Sequence, residues 1–372
     1  MTSSPSLSRR FLLGGGTGLA GAALLGSAAP ASARQAAATP IRLSLNENAW
    51  GPSPTVEPAI RSALGRVNRY VEGEQNDLVG TIAALENVSP DQVILGEVLA
   101  PLGLQLALKG GAASRFVYSA PGYAGFTDAA AAVGGRIVGV PLNDRLENDL
   151  PALLAALDER TEALFFVNPH NPSGIVGDPA ALRTFLLEAS AKTLVIVDEA
   201  YLEYTDDFAG RTAVGLVRDG ADVVVFRTLA KVYGLAGQQA GYAIAPAALA
   251  AELKAKGVGA PHSLDQLTLA ASKAALTDQA HVRRVAAETA RERDLWHSWL
   301  DARGWLRTQS QANFVFFKSG RPHAELAAAL AAEGIVVGRV NAPLTDWSRI
   351  TIGLPEENRR ARDAVERLAR AG

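Results

Sequence analysis

Residues 194–201 read LVIVDEAY, a run of four apolar residues, three of them β-branched, that ends on the carboxylate of Asp198. Such a short, continuously apolar run is typical of a strand buried on both faces of a sheet. Six similar runs occur at 92–96, 115–119, 136–140, 163–167, 223–227 and 241–245. Ala- and Leu-rich stretches such as 151–157 and 179–191 separate several of them. Strands alternating with helices predict an α/β domain built on a mostly parallel seven-stranded sheet.

The rest of the chain predicts a second, smaller region of α+β type. Residues 34–75 indicate an extended arm with a turn at 51–54 and a helix at 55–66. After about residue 259 the pattern predicts helices at 265–300, 322–333 and 355–370 and strands at 313–317, 335–339 and 349–353. The expected organisation is a signal peptide at 1–33, an N-terminal arm of the small domain at 34–75, a large domain at 76–258 and a C-terminal small domain at 259–372.

The first 33 residues have the layout of an export signal. The segment 8–13 (SRRFLL) precedes a Gly-, Ala- and Leu-rich run to Ala29, and 31–33 (ASA) offers small residues to a signal peptidase. The paired arginines resemble a twin-arginine signal, which implies a periplasmic protein. An uncleaved membrane anchor is the alternative, although an apolar run of roughly 18 residues, rich in Gly and Ala, would be a weak span. No other segment predicts contact with a membrane.

The composition and charge of the chain exclude several classes of partner and of chemistry. The formal net charge is −2, and Lys and Arg are interspersed with Asp and Glu, so no basic stripe favours nucleic acid. The chain has no cysteine, which excludes disulfides, thiolate nucleophiles and Cys-ligated metals. Its five histidines lack the HxxxH and HxH spacings of a metal site, so we expect no metal.

Polar side chains follow several predicted strands, at the sheet edge where open α/β folds bind ligands. They are Tyr123, Asn168, Asn171, Asp198, Thr228 and Lys231. A buried lysine is suited to forming a Schiff base, although a lone lysine is more often a surface residue with a buried stem. A carboxylate at the end of an apolar strand needs a partner, which can be a protonated ring nitrogen or the N-terminus of a following helix. The alternative interpretation of Asn171 is a turn residue within 168–174, and that of Tyr201 is a side chain packed in the core.

Together these residues resemble the fold-type-I pyridoxal phosphate (PLP)-dependent aminotransferases, most closely the histidinol-phosphate aminotransferase-like branch. The resemblance extends from Ser44 to the C-terminus. The segments that carry it are, in order, 46–54 (NENAWGPSP), 69–70 (RY), 120–123 (APGY), 168–174 (NPHNPSG), 198–201 (DEAY), 227–231 (RTLAK), 234–237 (GLAG) and 349–353 (RITIG).

The resemblance implies a role for each matching residue at the ring of the cofactor. Lys231 would form the Schiff base with PLP and move the substrate proton, and Asp198 would pair with the pyridine nitrogen. Tyr201 and Asn171 would bind the phenolic oxygen. Tyr123 would stack on the ring.

Further roles are implied at the phosphate and at the substrate. Thr228 would contact the cofactor phosphate, and Tyr70 would reach the phosphate bound by a neighbouring subunit, which implies a homodimer with shared sites. Arg349 would hold the substrate α-carboxylate through its planar fork, and Arg339 would help to hold a substrate phosphate. Asn48, in the arm, would contact the substrate.

The sequence departs from the family pattern at three places, all at the phosphate end of the cofactor. The loop 96–101 (GEVLAP) stands where the family has small residues with free backbone N–H groups, and Glu97 would repel a phosphate. Ala230 replaces a serine, and Gln239 replaces an arginine. Loss of that arginine removes a contact of roughly 1.5–3 kcal/mol, which would weaken PLP binding about tenfold or more.

The resemblance implies an enzyme that moves an amino group between an amino acid, or an amino-acid-like phosphate, and a 2-oxo acid. Two alternatives stay open. One is another PLP reaction on an amino acid (racemase, lyase, decarboxylase or oxidase), and the other is a catalytically degenerate amine- or PLP-binding protein. An exported enzyme has no obvious role in histidine biosynthesis, so histidinol phosphate itself is not favoured.

Overall fold

The computed structural model describes residues 40–370, so the predicted signal at 1–33 lies outside the described residues. The strands in the described part are β1 (Ile41–Leu43), β2 (Val93–Leu95), β3 (Arg115–Ala120), β4 (Arg136–Pro141), β5 (Thr161–Val167), β6 (Leu194–Asp198), β7 (Val223–Thr228), β8 (Gly241–Ile244), β9 (Phe314–Lys318), β10 (Ile335–Val337) and β11 (Trp347–Thr351).

The α-helices of the same part of the chain alternate with these strands. They are α1 (Val56–Ala63), α2 (Glu72–Glu86), α3 (Leu99–Gly110), α4 (Gly125–Ala132), α5 (Leu150–Ala155), α6 (Pro179–Ser190), α7 (Phe208–Arg211), α8 (Val214–Arg218), α9 (Ala247–Ala255), α10 (Gln266–Thr277), α11 (Gln279–Asp301), α12 (His323–Ala332) and α13 (Pro355–Arg370). None of the helices within 40–370 is long and apolar enough to span a membrane.

Seven strands form the central sheet, in the order β2-β8-β7-β6-β5-β3-β4. Strands β3 to β7 pair in parallel, and β8 is antiparallel to both of its neighbours. The predicted mostly parallel seven-stranded sheet is therefore confirmed. The strand β6 lies at its centre with every residue buried.

Both faces of this sheet are covered by apolar side chains, because successive residues of a strand point to opposite faces. In β6, Val195 and Val197 belong to the core on one face, whereas Leu194 and Ile196 belong to the core on the other. Burial on both faces explains why the strands read as continuous apolar runs.

The smaller region contains two further pairs of strands. The strands β9 and β11 pair antiparallel, and β1 pairs in parallel with β10. A separate core fills this region, with Trp296, Phe317 and Ile350 among its fully buried members. The domain boundaries at 75 and 258 stay a prediction.

Two features of this region differ from the sequence prediction. The single helix predicted at 265–300 is two helices, α10 and α11, because Asp278 interrupts it. The carboxylate of Asp278 accepts the N–H of His281 at 3.1 Å and the hydroxyl of Ser53 at 2.6 Å. A side chain that bonds to nearby backbone in this way competes with helix continuation. The strand β1 was missed, since its partner lies far away in sequence (Ile41 pairs with Ile335).

Candidate active site

Most of the predicted site residues meet at the carboxyl ends of β5, β6 and β7. They line what we call the inner cavity, whose walls are Glu97, Tyr123, Val167, Asn171, Asp198, Ala200, Tyr201, Phe226, Thr228, Ala230 and Lys231. An adjoining outer cavity shares Tyr123, Asn171, Tyr201 and Lys231 with it. The outer cavity adds residues from the arm and from the C-terminal region, namely Ser44, Leu45, Asn46, Gly122, Arg339, Asn341 and Arg349.

Asp198 ends the central strand with its carboxylate in the inner cavity. Its side chain is only 2% exposed, and one backbone N–H, that of Ala200 at 3.0 Å, donates to it. Burial raises the pKa of Asp198 to about 7; repulsion by Glu97 adds to this shift, and Lys231 opposes it. A short 3-10 turn at Leu202–Tyr204 follows instead of an α-helix, so no helix N-terminus compensates the charge.

The neighbouring carboxylate shows how this chain otherwise buries a negative charge. Glu199 forms an ion pair with Arg227 at 2.9 Å and accepts the N–H of Ala213 at 2.6 Å and the hydroxyl of Thr212 at 3.0 Å. Asp198 makes no ion pair within residues 40–370, so a protonated ring nitrogen is a suitable partner for it.

Lys231 borders both cavities. Its Nζ donates to the carbonyl oxygen of Leu45 at 3.2 Å and lies 5.8 Å from the centre of the Tyr201 ring. Within the described residues its ammonium makes no ion pair. This placement inside a cavity disfavours the alternative of a surface lysine and leaves the amine accessible to a small molecule.

The Tyr201 hydroxyl is oriented by a residue that the sequence argument did not single out, Asn46. The amide of Asn46 donates to Tyr201 Oη at 3.0 Å, and that of Asn171 does so at 3.5 Å. Thr351 Oγ1 accepts the backbone N–H of Asn46 and donates to Asn46 Oδ1, both at 3.0 Å. This clamp turns the Nδ2 group of Asn46 towards Tyr201. Because the Tyr201 oxygen already accepts from amides, its own O–H is free to donate into the cavity.

The backbone of Asn46 explains why this position takes an asparagine. Its φ of 56° lies in the left-handed region, which asparagine tolerates better than most residues. The signal was present in the sequence, since Asn46 begins the 46–54 segment, but nothing local distinguished it from Asn48.

Arg349 enters the outer cavity from β11. Its side chain donates to Asn171 Oδ1 at 2.6 Å and to the carbonyl oxygen of Ser44 at 3.0 Å, while Nε has no hydrogen-bond partner among the described residues. The residue is 9% exposed, and burial lowers the pKa of its guanidinium. No carboxylate within 40–370 pairs with it. Arg339, by contrast, is exposed at the rim of the same cavity.

Two predicted site residues lie outside both cavities. Tyr70 is 86% exposed, and its ring centre lies 5.0 Å from that of His262 on the surface. Asn48 is the other. Its amide donates to the carbonyl oxygens of Gly51 and Val232, both at 2.9 Å, and its oxygen accepts the N–H of Trp50. These bonds hold the turn of the arm and use both N–H groups of the amide, and a substrate contact by Asn48 stays a prediction.

The inner cavity fits the ring of PLP but is acidic where the phosphate is expected. Thr228 Oγ1, the hydroxyl matched to a phosphate contact, donates to Glu97 Oε1 at 3.2 Å. Ala230 offers no hydroxyl, and the exposed Gln239 does not line the cavity. Lys231 is the one cationic side chain among the described residues that line it.

Tyr123 borders both cavities, as a residue that stacks on a bound ring would. Burial raises the pKa of its phenol to about 12, and the nearby carboxylates of Asp198 and Glu97 add to the effect. Tyr123 is therefore neutral at physiological pH and offers an uncharged aromatic face.

The chain matches known proteins over nearly all of the described residues. The family model described as "Aminotransferase class I and II" matches residues 38–366. A histidinol-phosphate aminotransferase from Limosilactobacillus fermentum is 36% identical over 321 residues, which are 85% of this chain and 87% of that relative. An aromatic amino acid aminotransferase from Thermobifida fusca is 33% identical over 319 residues, again 85% and 87%. The crystal structure of histidinol-phosphate aminotransferase from Sinorhizobium meliloti in complex with pyridoxal-5′-phosphate is 30% identical, with a TM-score of 0.80, and the match covers 90% of this chain and 91% of that one.

The orientation of the Tyr201 hydroxyl by Asn46 can be tested with two substitutions. Asn46→Asp puts an acceptor beside Tyr201, which would then donate to the carboxylate instead of into the cavity. Asn46→Gly removes the amide while tolerating the positive φ. We expect Asn46→Asp to raise the pKa of the lysine-bound cofactor by roughly one unit, and Asn46→Gly to raise it by less. Absorbance titration measures this pKa. An unchanged pKa in both variants, with only their stability reduced, would leave Asn46 a purely structural residue.

Proposed function

The chain belongs to the class I and II aminotransferase family, and on that premise we propose that its substrate is an α-amino acid whose carboxylate binds Arg349. It is a PLP-dependent aminotransferase that moves an amino group between an amino acid and a 2-oxo acid.

The substrate proposal rests on the burial and the hydrogen bonding of the Arg349 guanidinium. A buried guanidinium is costly without a counter-charge, and this one forms no ion pair within residues 40–370. Its Nε is unused, and its other nitrogens bond to an amide oxygen and a carbonyl oxygen. A planar guanidinium with a free N–H suits a carboxylate that approaches from the outer cavity.

Arg339 supplies a second positive charge at the rim of that cavity, which favours a substrate with a polar or anionic group beyond Cα. Histidinol phosphate carries a phosphate and no α-carboxylate. An α-amino acid, by contrast, would bind Arg349 through its carboxylate and direct its side chain towards Arg339. The relatives include histidinol-phosphate and aromatic amino acid aminotransferases, so a planar ring in the substrate side chain is part of the proposal.

The residues around the inner cavity suit the chemistry of the reaction. PLP supplies a reactive carbonyl and an electron-withdrawing ring. Lys231, whose amine lines the cavity, would hold the cofactor at its carbonyl carbon, with the carbonyl oxygen leaving as water, and would later move the proton at the substrate Cα. Asp198 keeps the pyridine nitrogen protonated, since the pair neutralises a carboxylate that the chain leaves uncompensated. Tyr201 and Asn171 donate to the phenolic oxygen, and Tyr123 covers the ring.

We propose a homodimer in which Tyr70 of each chain contributes to the neighbouring site. The support is an exposed apolar surface around this residue: Leu64, Val67 and Tyr70 are each more than half exposed. Tyr70 also lies outside the inner and outer cavities of its own chain. Aromatic and aliphatic side chains left in solvent are typical of a surface that another subunit covers.

We also propose that the protein is exported to the periplasm by the twin-arginine route. The support is the sequence 8–33 alone, with its paired arginines, apolar run and small-residue site. Twin-arginine export carries folded proteins, which suits an enzyme that acquires its cofactor before it leaves the cytoplasm.

The substrate proposal predicts which amines react. We expect the full-length protein with PLP to show the absorption band of a lysine-bound cofactor. An α-amino acid with an aromatic or imidazole side chain should convert that band to the pyridoxamine phosphate form, whereas histidinol phosphate should not. Lys231→Ala should lack the band. Arg349→Lys should raise KM for the amino acid by roughly tenfold or more, because one point charge replaces the fork. Conversion by histidinol phosphate alone would reject the substrate proposal, and a wild-type protein without the band would reject the role of Lys231.

The dimer is tested by mixing two inactive variants. In a homodimer with shared sites, Tyr70→Ala and Lys231→Ala each damage both sites, but a mixed dimer carries one intact site. An equal mixture, unfolded and refolded together, should therefore regain about a quarter of the wild-type activity. No regain of activity, although light scattering finds dimers, would mean that the sites are not shared.

Export is tested by following the chain in a bacterial host with a twin-arginine system. The wild-type chain should reach the periplasm and become shorter by about the length of the signal. Replacing Arg9 and Arg10 with lysine should keep it in the cytoplasm at full length. Periplasmic arrival of the lysine variant would contradict this route.

A further inference from the structure

Glu97 is an acidic side chain in the cavity that binds the cofactor. It follows β2 and directly precedes α3, and its carboxylate lines the inner cavity opposite Thr228. Thr228 Oγ1 donates to it at 3.2 Å, and the one other acceptor of this hydroxyl within residues 40–370, the carbonyl oxygen of Ala240, is more distant at 3.5 Å. The helix α3 begins without a side-chain cap, so its first N–H groups are not taken by Glu97.

Among the described residues that line the inner cavity, none is a cation that would remain for the cofactor phosphate. The inner cavity is lined by two carboxyl groups, those of Asp198 and Glu97, and by one amine, that of Lys231. With Lys231 holding the cofactor carbonyl and Asp198 the ring nitrogen, Glu97 would be the remaining carboxyl group, near the phosphate. A phosphate carries nearly two negative charges at neutral pH, so an ionised Glu97 would oppose its binding.

We infer that Glu97 binds the cofactor phosphate as a neutral carboxylic acid and donates its O–H to a phosphate oxygen, so that phosphorylated cofactor binds together with one proton. A protonated carboxyl has both a donor and an acceptor, so it can bond to the phosphate while the Thr228 hydroxyl remains its partner. Glu97 thereby takes the place of the arginine that is Gln239 here. The inference rests on the proposed use of PLP by this cavity.

The surroundings of Glu97 favour its neutral form. Burial already raises the pKa of this carboxyl, while the hydrogen bond from Thr228 and the charge of Lys231 lower it. The ionisable groups that face it from neighbouring elements are Asp198 on β6, Lys231 after β7 and Tyr123 before α4. A dianionic phosphate adds a negative charge beside the carboxyl and raises its pKa further. Protonation therefore favours binding, and binding weakens as the pH rises.

The test compares two ligands that differ in the phosphate alone, pyridoxamine 5′-phosphate and pyridoxamine, on the full-length protein freed of cofactor. Neither bonds covalently to Lys231, and above about pH 7 the phosphate is fully dianionic. Calorimetry in two buffers of different ionisation enthalpy counts the protons taken up. The variants are Glu97→Gln, which keeps a donor but cannot ionise, and Asp128→Asn, which removes an exposed carboxylate of α4 outside the cavity.

For the wild type we expect pyridoxamine 5′-phosphate to bind with about one proton more than pyridoxamine, and its Kd to rise by up to roughly tenfold per pH unit between pH 7 and 9. In Glu97→Gln the extra proton disappears, and the phosphorylated ligand binds more tightly at pH 9 than it does to the wild type, by up to roughly a hundredfold. Asp128→Asn behaves as the wild type, and pyridoxamine binds all three proteins alike.

Three results would overturn the inference. If Glu97→Gln takes up the same proton, another group carries it. If pyridoxamine binds the wild type more tightly than its phosphate at every pH, Glu97 is ionised and excludes phosphate. If neither ligand binds any of the proteins, the use of PLP itself fails and the role of Glu97 with it.

Discussion

The carboxylate of Asp198 lies buried at the centre of the sheet with one backbone hydrogen bond and no ion pair inside residues 40–370. Its neighbour Glu199 is equally buried but is neutralised by Arg227. A protein can bury a carboxylate at little cost only when a cation or several donors meet it. This difference between two adjacent residues is the reason why we propose Asp198 as the partner of the cofactor ring, and the other cavity residues lie around it.

The second half of the site comes from outside the sheet. Asn46 in the arm and Arg349 in β11 reach the hydroxyl of Tyr201 and the amide of Asn171, so residues of the smaller region orient side chains of the larger one. Asn313 reinforces this by donating to the backbone oxygen of Asn46 at 2.9 Å. Arg349, the proposed substrate residue, and Tyr201, a proposed cofactor residue, therefore belong to one hydrogen-bond network through Asn171.

Charge balance sets this site apart from the family pattern. The inner cavity holds Asp198, Glu97 and a single lysine, and the residue that usually supplies a second cation is Gln239. Burial raises the pKa of both carboxyl groups, and the nearby Glu97 raises that of Asp198 further. In the role that we infer for Glu97, a proton contributes to the balance that an arginine would otherwise provide, and the affinity for the cofactor depends on pH.

The sequence by itself determined the elements whose signal is local. The seven strands of the sheet appear as apolar runs because each is buried on both faces, and the polar residues at their ends, such as Asp198 and Lys231, converge because parallel strands end at one edge. Only the tertiary structure decided the features that depend on contacts between distant segments. These are the pairing of β1 with β10, the helix break that joins Asp278 to Ser53, and the choice of Asn46 over Asn48 as the residue facing Tyr201. The position of Glu97 opposite Thr228 also depends on the tertiary structure. Glu97 follows β2 and Thr228 ends β7, and these two strands lie on either side of β8 in the sheet although they are far apart in sequence.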